Sequence, residues 1–135
     1  MQLEGRTVIV TGGSDGIGRH ICLRLAGEGC RLAILGRNEA RLAEVAEEAQ
    51  ALGAPQARGY AADMTDPEAL ASAAAAIQSD FSELDILINN AGIWHKAGPL
   101  DTIPDEVLVA TVQTNLTGLM QLTRHFLPAL RSRDE

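Results

Sequence analysis

The fold of this chain is decided by Val8-Ile9-Val10-Thr11-Gly12-Gly13-Ser14-Asp15-Gly16-Ile17-Gly18-Arg19, which predicts a strand, a tight turn and a helix. Arg6 to Val10 is rich in β-branched residues, as buried parallel strands are, and Ile17, Ile21 and Leu25 recur at the spacing of one helix face. Glycines in the turn let the backbone approach a ligand, and the N–H groups that begin the helix attract an anion. The segment therefore predicts a phosphate site, with a glycine-rich turn that binds nothing as the alternative.

The glycine spacing, Gly12-x-x-x-Gly16-x-Gly18, differs from two common nucleotide-binding motifs. Ile21 occupies the place of the third glycine in G-x-G-x-x-G, and the Gly-Lys-Ser/Thr ending of a P-loop is absent. The motif alone therefore leaves both interpretations open.

Length and composition predict one domain, residues 1–135, because 46% of the residues are hydrophobic and can form a core. The net charge is −7 and the ten arginines and one lysine are scattered, which argues against a nucleic-acid partner. No apolar run approaches the length of a membrane span, and no signal-like segment begins the chain. We therefore expect no membrane association and a cytoplasmic location, with Cys22 and Cys30 as reduced, buried thiols and no metal site.

Strand and helix patterns alternate along the whole chain. The predicted strands are 6–10, 31–35, 56–61 and 84–88. Asn38 and Asp66-Pro67 are expected to begin the second and third helices, and Thr102-x-x-Asp105 resembles a capping box before a helix that continues to Leu130. Leu42, Val45, Ala49 and Leu52 are expected to share the buried face of the second helix. This alternation predicts an α/β fold, a parallel sheet of about four strands with helices on both faces.

Polar or glycine-rich residues follow each predicted strand, at Gly12–Gly18, Gly36-Arg37, Asp63-Met64 and Asn89–Gly92. In such sheets the ligand lies beyond the carboxyl ends of the strands, so one extended ligand would touch all four. Each group also has a simpler explanation. Asp63 could cap a helix, Arg37 could be a solvated charge, and the asparagines could be turn formers.

Together these residues closely resemble the short-chain dehydrogenase/reductase family. The resemblance rests on Thr11-Gly12-x-x-x-Gly16-x-Gly18, Asp63, Asn89-Asn90-Ala91-Gly92 and Asn115. It implies a doubly wound, Rossmann-type dinucleotide-binding fold. The cofactor-binding residues it implies are Gly12, Ser14, Gly16, Ile17, Gly18, Arg37, Asp63, Met64, Asn90, Ala91 and Gly92.

The same resemblance implies individual roles. Ser14 and Ile17 would lie against the cofactor phosphates, and Asp63 would hydrogen-bond adenine with Met64 beside it. Asn90 and Gly92 would line the nicotinamide side. Asn115 would hold a water in a proton relay, as the one member of the family's catalytic group in this chain.

The chain departs from the family in its catalytic residues. Family members use a serine after the fifth strand and a Tyr-x-x-x-Lys, whereas the only tyrosine and lysine here, Tyr60 and Lys96, are 36 positions apart. We therefore expect the cofactor-binding half of an oxidoreductase that transfers hydride between NADP(H) and an alcohol or carbonyl substrate, ending before the fifth strand and inactive alone. The alternative is a dinucleotide-binding or interaction module without catalysis, so enzyme status stays open. His95 could replace the missing acid/base, although Trp94-His95-Lys96 fits a substrate-side loop better.

Two further expectations concern the cofactor and the assembly. NADP(H) is favoured over NAD(H), because Gly36 replaces the acidic residue of NAD users and Arg37 suits a 2′-phosphate, although Asp15 would repel that phosphate. A homo-oligomer is expected, because the strand 84–88 would present an unpaired apolar edge and the last helix carries more apolar residues than one buried face needs. The alternative is that the last helix folds back over this edge and shields it.

Overall fold

The computed structural model describes residues 2–96 and 98–133 and contains one parallel sheet with the strand order β3-β2-β1-β4. The strands are β1 (Thr7–Thr11), β2 (Arg31–Gly36), β3 (Ala57–Ala61) and β4 (Ile86–Ile88). The four predicted strands are confirmed, and β4 begins two residues later than predicted. The α/β fold with a doubly wound parallel sheet is therefore confirmed.

Helices cover both faces of the sheet. They are α1 (Gly16–Gly27), α2 (Glu39–Ala51), α3 (Pro67–Asp80), α4 (Asp105–Val112) and α5 (Leu119–Arg131), with a π-helical segment, Gln113–Gly118, joining the last two. Alternate residues of β1 point to opposite faces, so Val8 and Val10 pack with Cys22 in one core, and Ile9 packs with Leu122 in the other. Among the described residues, no helix is both long and apolar enough to cross a membrane.

Two of the three predicted helix starts are confirmed. The Asn38 side chain accepts a hydrogen bond from the Arg41 N–H (3.0 Å), and Asp66 accepts from the N–H groups of Glu68 and Ala69. The capping box at Thr102 is wrong. That hydroxyl donates to the Pro99 carbonyl (2.7 Å) inside a 3₁₀ turn, Leu100–Thr102, and α4 begins at Asp105 without a side-chain cap.

Ile17, Ile21 and Leu25 share one face of α1, as predicted, but that face is not the one that packs on the sheet. Gly18, Cys22 and Ala26 face the sheet, whereas the Ile17 side chain is 75% exposed. Small residues take the buried positions because the helix starts very close to the turn before it: a Cβ at Gly18 would lie 2.1 Å from the Gly12 carbonyl oxygen. Ile17 and the half-buried Ile21 and Leu25 instead form an open apolar surface with Ile88.

In α2 the predicted face holds for Leu42, Val45 and Ala49, which are buried. Leu52 is the exception. It lies just past the last helical residue and is 51% exposed, because the chain turns away from the sheet at Gly53.

Both cysteines are free and buried, as predicted. Burial raises the pKa of the Cys22 thiol to about 12 and raises that of Cys30 as well, the latter with help from the negative charges of Glu28 and Asp85. Both thiols therefore stay protonated and unreactive at neutral pH.

An ion-pair network closes the amino-terminal end of the sheet. The Asp85 carboxylate, 5% exposed, accepts hydrogen bonds from the Thr7 N–H (2.8 Å), from Arg6 Nη1 (2.8 Å) and from Arg133 Nε (2.9 Å). Burial opposes ionisation of this carboxyl, but the three hydrogen bonds outweigh burial and hold its pKa below the usual value. The network ties the end of α5 to β1 and β4.

Candidate functional site

A cleft of about 980 Å³ lies at the carboxyl ends of the strands. Its volume is at the upper end of the range usual for small-molecule sites. Ten of the eleven residues predicted to bind a cofactor line it: Gly12, Ser14, Gly16, Ile17, Arg37, Asp63, Met64, Asn90, Ala91 and Gly92. The structure therefore brings together residues that are widely separated in the chain.

Gly18 is the predicted residue that does not line the cleft. It is buried behind the turn, where a Cβ would lie 2.1 Å from the Gly12 carbonyl oxygen and 2.5 Å from Asn90 Nδ2. Because Gly18 has no side chain, the first turn of α1 can pack directly on the backbone of Gly12.

The turn between β1 and α1 presents free backbone N–H groups to the cleft. Gly12 and Gly16 have φ angles of +65° and +51°, a region that favours glycine. Asp15 caps α1 by accepting a hydrogen bond from the Gly16 N–H (2.8 Å). Among the described residues, none accepts a hydrogen bond from the N–H groups of Ile17 and Gly18. The N–H of Ile17, a residue that lines the cleft, and the positive end of the helix dipole make an anion site.

A buried hydroxyl joins this turn to the end of β4. Thr11 Oγ1 accepts hydrogen bonds from the N–H groups of Asn90 (3.0 Å) and Ala91 (2.9 Å), and Asn90 Nδ2 donates to the carbonyl oxygens of Thr11 (3.1 Å) and Gly12 (3.2 Å). Asn90 thus holds the site together as well as lining it. Sequence reasoning missed this role, because nothing in the pattern shows which groups its amide would reach.

Asp63 follows β3 and is ionised. Its Oδ1 accepts hydrogen bonds from the N–H and the hydroxyl of Thr65, both at 2.8 Å. These two bonds hold the pKa of the Asp63 carboxyl below its usual value, and the positive charge of Arg37 acts in the same direction. Asp63 does not cap α3, which is the work of Asp66.

The next residue, Met64, is positioned by a glycine on another element. The Met64 carbonyl oxygen would lie 2.1 Å from a Cβ at Gly118, so the π segment approaches this part of the cleft only because residue 118 has no side chain. The packing partner of Gly118 is therefore the Met64 backbone.

Two arginines and one carboxylate stand at the end of the cleft next to β2. Arg37 is exposed, and it forms no ion pair with any residue the structure describes. Arg41 Nη1 lies 3.0 Å from Asp15 Oδ2. Gly36, which ends β2, leaves space for Ser14, because a Cβ there would lie 2.9 Å from Ser14 Oγ. Sequence reasoning did not select Arg41, which is on α2 rather than at a strand end.

Asn115 does not line the cleft, but the residue before it, Thr114, does. Its Oδ1 accepts a hydrogen bond from the Ile93 N–H (2.7 Å), and its Nδ2 donates to the Ile93 carbonyl (2.9 Å). Asn115 is part of the π segment, a local change of helix period that is frequent at functional sites. The pair of bonds fixes Ile93, which lines the cleft.

The remaining candidate acid/base residues do not line the cleft. His95 Nδ1 is 3.0 Å from the Lys96 carbonyl, and its ring stacks on the exposed Trp94 ring with centroids 6.0 Å apart. Tyr60 is buried on β3 and donates a hydrogen bond to Asp80 (2.6 Å). Burial, followed by the bond to Asp80, raises the pKa of the Tyr60 hydroxyl, so it remains protonated.

The profile of the short chain dehydrogenase family matches residues 6–135. The chain belongs to the short-chain dehydrogenase/reductase family. Dehydrogenase/reductase SDR family member 7B of Bos taurus is 37% identical to it over an alignment 136 residues long, which covers 97% of this chain and 42% of that protein. The chain spans about half the length of the curated relatives it matches.

Solved structures of the family share the same fold. L-sorbose reductase from Gluconobacter frateurii, complexed with NADPH and L-sorbose, matches with a TM-score of 0.89 and 28% identity, over 98% of this chain and 51% of that one. The 3-ketoacyl-(acyl-carrier-protein) reductase from Brucella melitensis, complexed with NADH, matches with a TM-score of 0.87 and 32% identity, over 94% and 50% of the two chains. Both nicotinamide dinucleotides therefore occur among these relatives.

Proposed function

We propose that this chain is the dinucleotide-binding part of an oxidoreductase that transfers hydride between NADP(H) and an alcohol or carbonyl substrate. The observation that carries the proposal is the cleft, which is lined by the amino-terminal end of α1, by an ionised Asp63 and by Arg37, which has no ion-pair partner among the described residues. This combination of donors, acceptor and cation fits a ligand that has phosphates, a hydrogen-bonding base and a further anionic group.

The residues present fit a dinucleotide. A Cβ at Gly16 would meet no atom within 4 Å, so the backbone there faces open space where a pyrophosphate has room. Asp63 and Met64 would hold the adenine, and Asn90, Ala91 and Gly92 would line the nicotinamide side. The bound nicotinamide supplies a hydride donor or acceptor, and these residues only bind and orient it.

Asn115 is proposed to hold a water on the nicotinamide side of the cleft. Its side-chain amide is committed to the Ile93 backbone, so any water in a proton relay would be held by the Asn115 main chain. Through its side chain, Asn115 would also keep Ile93 in place at the cleft.

The preference for NADP(H) rests on the end of β2. A Cβ at Gly36 would lie 2.9 Å from Ser14 Oγ and 3.2 Å from Leu42 Cδ2, so an acidic side chain at this position would displace the turn. The absence of a carboxylate there and the exposed guanidinium of Arg37 favour a 2′-phosphate over a free ribose hydroxyl.

A second candidate function is a dinucleotide-binding module with no catalysis. It is favoured by the fact that the 135 residues contain no Tyr-x-x-x-Lys and that neither Tyr60 nor Lys96 lines the cleft. The two candidates agree on cofactor binding and differ on turnover.

We also propose a homo-oligomer. β4 is the last strand of the sheet, and its Ile86–Ile88 are all only half-buried. An apolar stripe on the outer side of the last helical region is exposed and would bury well against a second copy. The stripe consists of Val109, Val112, Leu116 and Met120. Sedimentation over a concentration series is expected to give a dimer or larger species, and a monomer at high micromolar concentration would contradict it.

A cytoplasmic location is proposed from the two buried free thiols, since reducing compartments keep cysteines in this form. These 135 residues contain no Tyr-x-x-x-Lys. A small-molecule alcohol or carbonyl substrate is therefore proposed only for a protein in which other residues supply that catalytic group.

Calorimetric titration with NADP⁺ and NAD⁺ tests the proposed function. The wild-type chain should bind at least one of them, and Ser14→Asp should weaken both by more than about tenfold, because it places a carboxylate beside the phosphate site. Ser82→Asp is the matched control, since Ser82 is exposed and outside the cleft, and it should change neither affinity. No binding of either nucleotide at millimolar concentration would refute the proposal.

A further inference from the structure

One ion pair lies inside the cleft. Arg41 Nη1 is 3.0 Å from Asp15 Oδ2, and both side chains line the cleft beside Arg37. Asp15 caps α1, and Arg41 belongs to the first turn of α2. The pair therefore joins the amino-terminal ends of two helices, where the dipoles of both favour negative charge.

Both oxygens of the Asp15 carboxylate are engaged. Oδ1 accepts the hydrogen bond from the Gly16 N–H (2.8 Å), and Oδ2 contacts Arg41. The helix end and the arginine together offset a negative charge that would otherwise face any phosphate entering this end of the cleft. The repulsion expected from Asp15 is thus reduced as long as Arg41 stays near it.

We propose that Asp15 and Arg41 form a specificity switch for the dinucleotide's 2′ position, in which Arg41 leaves Asp15 and binds the 2′-phosphate together with Arg37. This inference rests on the proposed function and adds a second phosphate-binding residue and a competing carboxylate. With a ribose hydroxyl in place of the phosphate, Arg41 stays on Asp15. The pair then contributes nothing to binding.

The ion pair is of a kind that exchanges easily. The side chains of Arg41 and Asp15 are 57% and 74% exposed, and exposed pairs of this type contribute little to stability. A phosphate monoester carries a larger charge and three acceptor oxygens, and it can accept two parallel hydrogen bonds from one guanidinium. The interaction of Arg41 with the phosphate is therefore stronger than its interaction with Asp15. Arg37 can bind the phosphate without leaving another ion pair, because it has no ion-pair partner among the described residues.

A purely structural role is the competing explanation, since the pair could serve only to hold α1 against α2. The molecule contains a matched control for this role. Arg19 of α1 and Glu48 of α2 form another exposed ion pair between the same helices, with exposures of 36% and 44%, and neither residue lines the cleft.

Calorimetric titrations of four proteins with NADP⁺ and NAD⁺ test the switch: wild type, Arg41→Gln, Asp15→Asn and Arg19→Gln. Arg41→Gln should weaken NADP⁺ binding by about tenfold or more and leave NAD⁺ within about twofold, because one charge-assisted contact is lost. Asp15→Asn keeps an oxygen that can cap α1 and removes the competing charge, so it should strengthen NADP⁺ binding several-fold and NAD⁺ binding by a clearly smaller factor. Arg19→Gln should alter neither.

Smaller probes isolate the 2′ position. Adenosine 2′,5′-bisphosphate should follow the pattern of NADP⁺ across the variants, and adenosine 5′-monophosphate should follow that of NAD⁺. Arg41→Lys should restore part of the lost NADP⁺ affinity, and thermal unfolding of each variant shows whether the fold is intact.

Several results would overturn the switch. Equal weakening of both cofactors by Arg41→Gln would assign Arg41 a structural role, as would an effect of the same size from Arg19→Gln. Unchanged NADP⁺ binding in Arg41→Gln, or weaker NADP⁺ binding in Asp15→Asn, would refute the exchange itself. If the wild type bound NAD⁺ and NADP⁺ equally, the switch and the NADP(H) preference would fail while dinucleotide binding stood, whereas no binding of either would refute all three.

Discussion

Gly118→Ala sets two opposing effects against each other next to Met64, a residue that lines the cleft. The new Cβ would lie 2.1 Å from the Met64 carbonyl oxygen, 3.0 Å from the Met64 carbonyl carbon and 3.0 Å from the Gln113 carbonyl oxygen. The first distance is about 1.2 Å short of an ordinary C···O contact of about 3.3 Å. Since all three neighbours are backbone atoms, no side-chain rotation relieves the overlap.

The two effects have opposite signs. Alanine is better than glycine inside a helix by about 1 kcal/mol. Overpacking a close contact that only a backbone shift can relieve costs about 1–3 kcal/mol. A displacement of more than 1 Å belongs at the upper end of that range, so we expect Gly118→Ala to lower the free energy of unfolding by about 1–2 kcal/mol. The displaced segment carries Asp63 and Met64, so dinucleotide affinity should fall as well.

Urea unfolding of Gly118→Ala beside Gly27→Ala measures the balance. Gly27 ends α1, its φ is not positive, and a Cβ there would meet no atom within 4 Å. Gly27→Ala should therefore stabilise the chain, by about 0.4–1 kcal/mol. If Gly118→Ala were as stable as wild type while Gly27→Ala showed its gain, the close approach of the π segment to Met64 would be wrong.

Three further predictions concern the cofactor, the ion-pair network and turnover. Arg37→Ala should weaken NADP⁺ binding by about tenfold without affecting NAD⁺, and calorimetry showing intact NADP⁺ affinity would remove Arg37 from the site. Asp85→Asn should destabilise the chain by about 1–3 kcal/mol at pH 7, because Thr7, Arg6 and Arg133 lose a charged acceptor. The folded-state pKa of Asp85 is lowered, so its stabilisation is present above the usual Asp pKa of about 4 and is lost as the pH falls through the lower value. The wild type and the variant should thus converge below about pH 4 in urea unfolding, and a constant difference from pH 7 to pH 3 would contradict this. These 135 residues with NADPH should reduce no ketone or aldehyde at an enzymatic rate, because general acid/base catalysis worth about 10²–10⁴-fold is missing; observed turnover would direct attention to His95.

The elements of the fold were predictable from local signals. A β-branched run indicated β1, and Asn38 and Asp66 indicated two helix starts, because these signals depend on residues close in sequence. The failures depend on tertiary contacts. The periodicity of Ile17, Ile21 and Leu25 indicated one helix face, but it did not show that the closeness of α1 to the Gly12 turn reserves the sheet-facing positions for Gly18, Cys22 and Ala26.

The candidate site was predictable where it follows the strand ends. Carboxyl ends of parallel strands meet at one edge, so the order of the motifs was enough to bring Gly12, Asp63 and Asn90 together. Arg41 could not be found in this way, because it reaches the cleft from the first turn of α2. The double role of Asn90 and the pairing of the Asn115 amide with Ile93 were equally hidden, since each consists of hydrogen bonds to backbone groups more than twenty residues away.

The central claim is that this cleft binds a nicotinamide dinucleotide, and the most direct measurement is a titration of the ¹⁵N-labelled chain with NADP⁺ followed by amide NMR spectra. Saturable shifts should concentrate in three places: the turn Gly12–Gly18, the residues Asp63 and Met64, and Asn90–Gly92. The amides around Asp85, at the opposite end of the sheet, should stay unchanged. Shifts absent from the turn, or centred on the apolar surface of Ile21 and Leu25 instead, would contradict the account.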